Sequence, residues 1–114
     1  MSPESESGIK SAVEQSMKVA KHFVQSFEDI DTLEDEKETV KQNLADIRER
    51  YNAGKIPRES MEESERKYKE EILSVIKNIQ SKLAEVIKAL DEMRESANYL
   101  VEVYEGEQKR YEED

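Results

Sequence analysis

The stretch Tyr51-Asn52-Ala53-Gly54-Lys55-Ile56-Pro57 decides the fold, because it holds the only Gly-to-Pro break in an otherwise continuous run of helix-forming residues. Asn52 and Gly54 are residue types that accept the left-handed backbone found at helix C-termini. Pro57 lacks the N–H that a helix interior needs, but this costs nothing at the first helical position. We therefore predict one helix that ends just before Gly54 and a second that begins at Pro57.

Apolar residues recur every three or four positions on both sides of this turn, which is the spacing of helices that pack along a seam. The predicted seam of the first arm comprises Val13, Met17, Ala20, Val24, Phe27, Val40, Leu44, Ile47 and Tyr51. That of the second arm comprises Tyr68, Ile72, Ile76, Ile79, Leu83, Val86, Leu90, Met93, Ala97, Leu100 and Tyr104. Folding the arms back about Lys55 pairs these positions, so the predicted fold is all-α: a long antiparallel helical hairpin, coiled-coil-like.

The chain divides into three predicted parts: a flexible leader at residues 1–8, a helical hairpin at 9–106 and a fraying acidic tail at 107–114. The hairpin consists of an arm at 9–53, a turn at 52–57 and an arm at 57–106. The apolar spacing slips in the acidic stretch before Lys37, and two interpretations stay open. The helix continues through a stammer, or a new helix is capped at Asp31 or Thr32.

A second apolar stripe lies beside the predicted seam on each arm. On the first arm it comprises Ala12, Val19, Phe23 and Ile30, and on the second Leu73, Ile76, Ala84 and Ile87. Apolar surface of this extent is stabilised when it is covered, which favours a homodimer that completes a four-helix bundle. The candidate interface comprises Phe23, Leu73, Ile76, Ala84 and Ile87.

The net charge and the apolar content of the chain indicate which partners and which cellular location to expect. A net charge of -10 disfavours nucleic acid and anionic lipid surfaces, since both are bound chiefly through Lys and Arg. No stretch approaches the ~20 apolar residues of a membrane span, and the N-terminus lacks the pattern of a signal peptide. We therefore expect no membrane insertion and a cytoplasmic location, with secretion without a signal peptide left open. The absence of Cys excludes disulfides and thiolate chemistry.

No catalytic, cofactor or metal site is predicted. His22, the only histidine, is interpreted as a surface or edge residue, because no carboxylate stands three positions before it as in a Glu-x-x-His metal pair. The acidic cluster from Glu28 to Glu38 lacks the spacing of an EF-hand loop, so a solvated face or a docking surface for a basic partner is favoured.

Three short patterns resemble known families. The Glu-x-x-Glu pairs among Glu59, Glu62 and Glu65 resemble the first Mg²⁺ motif of MazG-type nucleotide pyrophosphohydrolases, although the only Glu-x-x-Asp, from Glu28, precedes them. The mid-chain glycine turn and the length resemble the secreted helical hairpins of the WXG100 (ESAT-6-like) family, with Tyr51-Asn52-Ala53-Gly54 in place of Trp-x-Gly. With Gly54, Ile56, Glu59 and Met61 at matching places, residues 51–70 are similar to the short helix-turn-helix of SHOCT-type segments.

The leading functional hypothesis is a non-enzymatic protein-protein interaction, assembly or adaptor module that acts through an acidic helical hairpin. A secreted protein of the WXG100 type and a Mg²⁺-dependent nucleotide hydrolase are the alternatives. The protein partner is not identified by the sequence. At the turn, backbone geometry accounts for Gly54 and Pro57, which leaves Tyr51, Lys55 and Arg58 as candidate contacts for a partner at the tip.

Overall fold

Two long α-helices and one turn make up the fold in a computed structural model that describes residues 3–113, with side chains from residue 7 onward. Helix α1 covers Pro3–Asn52 and helix α2 covers Arg58–Glu113. The two helices lie against each other as an antiparallel hairpin, which confirms the all-α prediction. Both helices are longer than predicted, since α1 begins within the expected leader and α2 continues into the expected tail. Residues 1, 2 and 114 lie outside the described part.

The turn has the hydrogen bonds of a Schellman motif. The N–H of Gly54 donates to the carbonyl of Tyr51 at 3.0 Å, and the N–H of Lys55 donates to the carbonyl of Arg50 at 2.9 Å. Gly54 has φ of 72°, the left-handed backbone predicted for it. Helix α2 begins one residue later than expected, because Pro57 contributes its carbonyl to the first helical bond, from the N–H of Met61 at 3.1 Å.

The hairpin divides into two compact units. Unit 1 pairs α1 up to Ser26 with α2 from Ala84 onward, and unit 2 is the segment Phe27–Leu83, which includes the turn. In unit 2, Arg48 pairs with Glu65 at 3.4 Å and Lys82 pairs with Asp29 at 3.3 Å, so the two helices run antiparallel there. In unit 1, Gly8 lies against the hydroxyl of Tyr99.

The buried seam follows an unbroken heptad pattern of alternating three- and four-residue steps on both helices. On α1 the residues at heptad positions a and d are Ala12, Ser16, Val19, Phe23, Ser26, Ile30, Leu33, Lys37, Val40, Leu44, Ile47 and Tyr51, all buried or half-buried. On α2 they are Met61, Glu65, Tyr68, Ile72, Val75, Ile79, Lys82, Val86, Ala89, Met93, Ser96, Leu100, Val103 and Glu107, again buried or half-buried. The regular spacing is typical of coiled-coil packing.

This seam differs from the predicted one on both helices. On α2, Leu83, Leu90 and Tyr104 were expected in the seam and are exposed. The difference is largest in the part of α1 that belongs to unit 1. The residues expected to form it there are largely exposed: Val13 at 43%, Met17 at 59% and Val24 at 55%. The stripe expected to lie beside it, which includes Val19 and Phe23, forms the seam instead. The prediction was wrong because it followed apolar residues alone and passed over the polar seam residues, of which Ser26 is only 1% exposed.

The same polar residues remove the apparent slip in the acidic stretch. Ser26 and Lys37 occupy seam positions on either side of it, so the heptad spacing continues without a stammer, and α1 is one continuous helix through Asp31. Thr32 does not cap a new helix. Its hydroxyl donates to the carbonyl of Glu28, one turn back, at 3.1 Å.

Candidate functional site

Unit 1 carries an exposed apolar surface on one side of its helix pair. Its residues stand at heptad positions e and b, next to the seam. On α1 they are Val13, Met17, Ala20 and Val24, and on α2 they are Ile87, Leu90, Ala97, Val101 and Tyr104. We call this set the apolar face. In an antiparallel pair the e positions of the two helices flank the same side of the seam, so both helices contribute to one surface.

An open groove confirms that the two halves of the apolar face meet. It has a volume of about 370 Å³ and is lined by Val13, Ser16, Met17, Ala20, Met93, Ala97 and Leu100. These residues come from both helices, and only Ser16 is polar. Exposure is high at the large side chains of the face, with Ile87 at 61% and Val101 at 55%. The groove is therefore an apolar surface that both helices form and that is open to solvent.

The opposite side of unit 1 is charged. A second groove of about 380 Å³ is lined by Gln15, Lys18, Val19, His22, Glu85, Lys88, Ala89 and Glu92. His22 lies at its edge and is exposed, in the position that the sequence predicts for it. Since lysines and glutamates are mixed in this groove, it has no single sign of charge. Unit 1 is thus amphipathic across its seam, with one apolar and one polar side.

Unit 2 carries exposed apolar residues at the corresponding heptad positions chiefly on α2. There Leu73 is 58% exposed, Leu83 is 43% exposed and Ile76 is half-buried. On α1, Phe27 at one end is 47% exposed, but Glu34 and Glu38 are charged. The ion pairs described above set these glutamates level with Ile76 and Leu73, so at that level the apolar surface is confined to α2.

The candidate interface residues fall in three places. Leu73, Ile76 and Ile87 lie at positions e and b, as exposed or half-buried apolar residues. Ala84 is exposed at position f, which points furthest from the seam. Phe23 is half-buried at a seam position of α1. Their role as an interface stays a prediction.

The three candidate tip contacts differ from one another in their exposure to solvent. Lys55 is exposed and lines a small polar groove with Asp46, Glu49, Arg50 and Ala53. Arg58 is exposed and pairs with Glu62 at 2.8 Å, and this hydrogen bond with the attraction of the carboxylate raises the pKa of the guanidinium. Tyr51 is half-buried at the end of the seam. Lys55 and Arg58 are therefore the more accessible members of the set.

The glutamates that resemble a Mg²⁺ motif are engaged in ion pairs. Glu65 accepts from Lys69 at 2.8 Å and from Arg48 at 3.4 Å, and these bonds lower the pKa of its carboxyl group below the ordinary value of 4.5. Glu62 is held by Arg58. Within residues 3–113, no group of three or more His, Cys, Asp and Glu side chains is arranged to hold a metal ion.

The acidic cluster on α1 is largely exposed to solvent. Lysines within or next to it form short ion pairs along the helix, Lys37 with Glu34 at 2.6 Å and Lys41 with Glu38 at 3.6 Å. Both are spaced by three residues. The pair of Lys41 and Glu38 is exposed, and exposed pairs of this kind contribute little to stability, whereas Lys37 is half-buried. The remaining carboxylates give this segment a negative surface.

Comparison with known proteins gives no relative from which a role could be transferred. No family model matches the sequence, and no curated protein and no solved structure is significantly similar to it. In the part of the chain that the structure describes, neither helix contains a stretch long and apolar enough to cross a membrane.

The apolar face was only partly accessible to sequence reasoning. Its residues were recognised as apolar and periodic, but Val13, Met17 and Leu90 were assigned to the seam within the hairpin. The deciding signal is the position of polar residues at seam spacing, above all Ser16, Ser26 and Ser96. Counting small polar residues as seam members would have given the observed register.

Proposed function

We propose that the chain is a non-enzymatic assembly module that self-associates through the apolar face of unit 1 and completes a four-helix bundle as a homodimer. The observation that carries this proposal is the side-by-side exposure of apolar residues from both helices in one groove. An isolated helix pair buries one narrow stripe on each helix. A second hairpin that covers the apolar face would give each helix the wider buried surface of a bundle.

The size of the apolar face supports a stable interface. Seven of its large side chains, from Val13 to Tyr104, are each roughly half exposed. They present on the order of 700 Å² of surface in total, which is close to the ~800 Å² that each partner contributes to a standard protein interface. A face of this size is more typical of a protein interface than of a surface that stays in water.

The charge distribution supports a protein as the further partner of the module. With a net charge of -10, the chain repels polyanions, and the acidic cluster on α1 offers carboxylates to a basic protein surface. The polar side of unit 1 remains available when the apolar face is covered. An adaptor that dimerises through one side and presents the other in the cytoplasm is the role we propose.

Two differently tagged copies of the full chain, expressed together, test self-association. We expect the copies to co-purify and expect Met17→Asp in both copies to abolish this, because a carboxylate would lie in the apolar groove. Asn98→Asp is the matched control, since it introduces the same residue and the same charge change at an exposed position f of α2. Wild-type copies that fail to co-purify at micromolar concentration would overturn the proposal, as would equal behaviour of the two variants.

A further inference from the structure

Met17 places an oxidisable sulfur atom on the apolar face of unit 1. We infer that Met17 is a modification site through which peroxides regulate self-association: oxidation of its thioether to the sulfoxide dissociates the dimer, and reduction of the sulfoxide restores it. The inference rests on the proposed self-association and adds a chemical means of regulating it. Three features carry it, namely the exposure of Met17, the apolar lining of the groove and the position of Met17 outside the seam.

Exposure distinguishes Met17 from the other methionines whose side chains the structure describes. Met17 is 59% exposed, whereas Met61 and Met93 are half-buried at seam positions. A peroxide must reach the sulfur atom, so the rate of oxidation follows the access of solvent to the side chain. The chain contains no Cys, so no thiol competes for the peroxide. In the single hairpin, Met17 is therefore the described residue that reacts first.

The reaction needs a peroxide as its only co-reactant. A lone pair of the thioether sulfur attacks one peroxide oxygen, the O–O bond breaks and an S–O bond forms. The sulfur atom is oxidised, and hydrogen peroxide is reduced to water. The product, methionine sulfoxide, is polar, and methionine sulfoxide reductases convert it back to methionine. The modification is thus reversible.

The groove around Met17 offers little to a polar sulfoxide. The side chains that line it are apolar except for that of Ser16. A second copy that covers the apolar face would remove the sulfoxide oxygen from water, and burying an oxygen without a hydrogen-bond donor is destabilising. In a twofold dimer the same cost arises in each copy. Oxidation therefore opposes association.

The hairpin itself does not depend on the sulfur atom of Met17. Met17 stands at heptad position b, next to the seam, whereas Met93 stands in the seam at position a. Oxidation of Met17 alone therefore leaves the contacts between α1 and α2 in place. Since the second copy covers Met17, association also protects it from peroxide, and the two effects are linked by mass action.

Treatment of the full chain with hydrogen peroxide tests the inference, with Met17→Leu as the matched control. Leucine keeps the apolar surface and has a similar volume, but it has no sulfur to oxidise. Peptide mass spectrometry locates the added oxygen atom. Sedimentation equilibrium measures the dissociation constant before and after oxidation, and circular dichroism measures the helix content.

We expect Met17 to be oxidised faster than Met61 and Met93 in dilute chain, and oxidation to raise the dissociation constant at least ~10-fold while helix content is retained. Oxidised Met17→Leu should keep the affinity of the untreated variant, and a methionine sulfoxide reductase should restore that of the wild type. Unchanged affinity after oxidation of Met17, or equal weakening in Met17→Leu, would overturn the inference, as would faster oxidation of Met61 or Met93. A wild-type chain that is monomeric before any oxidation would instead refute the proposed function, and the inference with it.

Discussion

Ile87 offers the sharpest test of whether the apolar face holds two copies together. Its side chain is 61% exposed on the hairpin. The preceding residue, Val86, is only 5% exposed in the seam, so Ile87 lies just outside the buried contact between the helices. Covering about 100 Å² of its surface is worth roughly 2.5 kcal/mol per copy at ~25 cal/mol per Å², or about 5 kcal/mol for both copies of a dimer. Only part of the free energy of burying apolar area appears as binding free energy, because association also has entropic and desolvation costs. We therefore expect about half of the 5 kcal/mol, roughly 3 kcal/mol, as the loss of binding free energy.

Ile87→Asp is therefore expected to raise the dissociation constant of the dimer at least ~100-fold, and the desolvation of two carboxylates adds to the effect. Helicity should be largely retained, because the inner seam at Val86, Ala89 and Met93 is untouched. Sedimentation equilibrium measures the constant, and circular dichroism measures the helix content. Asn98→Asp should leave both unchanged. A dimer of unchanged affinity in Ile87→Asp, or equal weakening by the control, would refute the reasoning.

Three further predictions concern the hairpin itself. Gly54→Ala should lower the free energy of unfolding in urea by about 1–2 kcal/mol because of the positive φ, whereas Gly106→Ala, in helix with open space around it, should raise it by about 0.5–1 kcal/mol; effects of the same sign would contradict this. Leu44→Ala should cost roughly 2–3 kcal/mol and Leu44→Met less than about 1.5 kcal/mol, since Leu44 is 9% exposed in the seam. Glu65 should titrate below 4.5 in NMR because Lys69 and Arg48 stabilise its carboxylate, and Lys69→Met should move its pKa back upward. The lowered pKa means that this contribution to stability is present above the unfolded value and is lost as the pH falls through the folded one, so Glu65→Gln should reduce the loss of stability below pH 4.5.

The turn and the two helices could be predicted from the sequence because each depends on local chemistry. Gly54 is required by a positive φ, and Pro57 lacks only an N–H that a helix start does not use. Likewise, the seam residues Val40, Leu44 and Ile47 of α1 were predicted correctly, although Leu83 on α2 was not. The residues beside these three on α1 are mostly polar or charged, so the apolar pattern there points to one face only.

The seam of unit 1 could not be predicted in the same way, because α1 there carries two apolar stripes one residue apart. By hydrophobicity alone, the stripe that contains Val19 and the stripe that contains Met17 are equally good candidates for the seam. Which of them packs against α2 depends on the register between the two helices. Ser26 marks that register in the structure, because it stands at seam spacing and is only 1% exposed. It is not apolar, so hydrophobic periodicity passes over it.

The central claim is that the apolar face of unit 1 binds a second copy of the chain. Light scattering coupled to gel filtration tests it most directly, using the wild-type chain between about 1 and 100 μM, the range in which interfaces of ordinary size associate. The account predicts a mass twice the 13.3 kDa of one chain at the upper concentrations. A constant mass of 13.3 kDa across the whole range would contradict it.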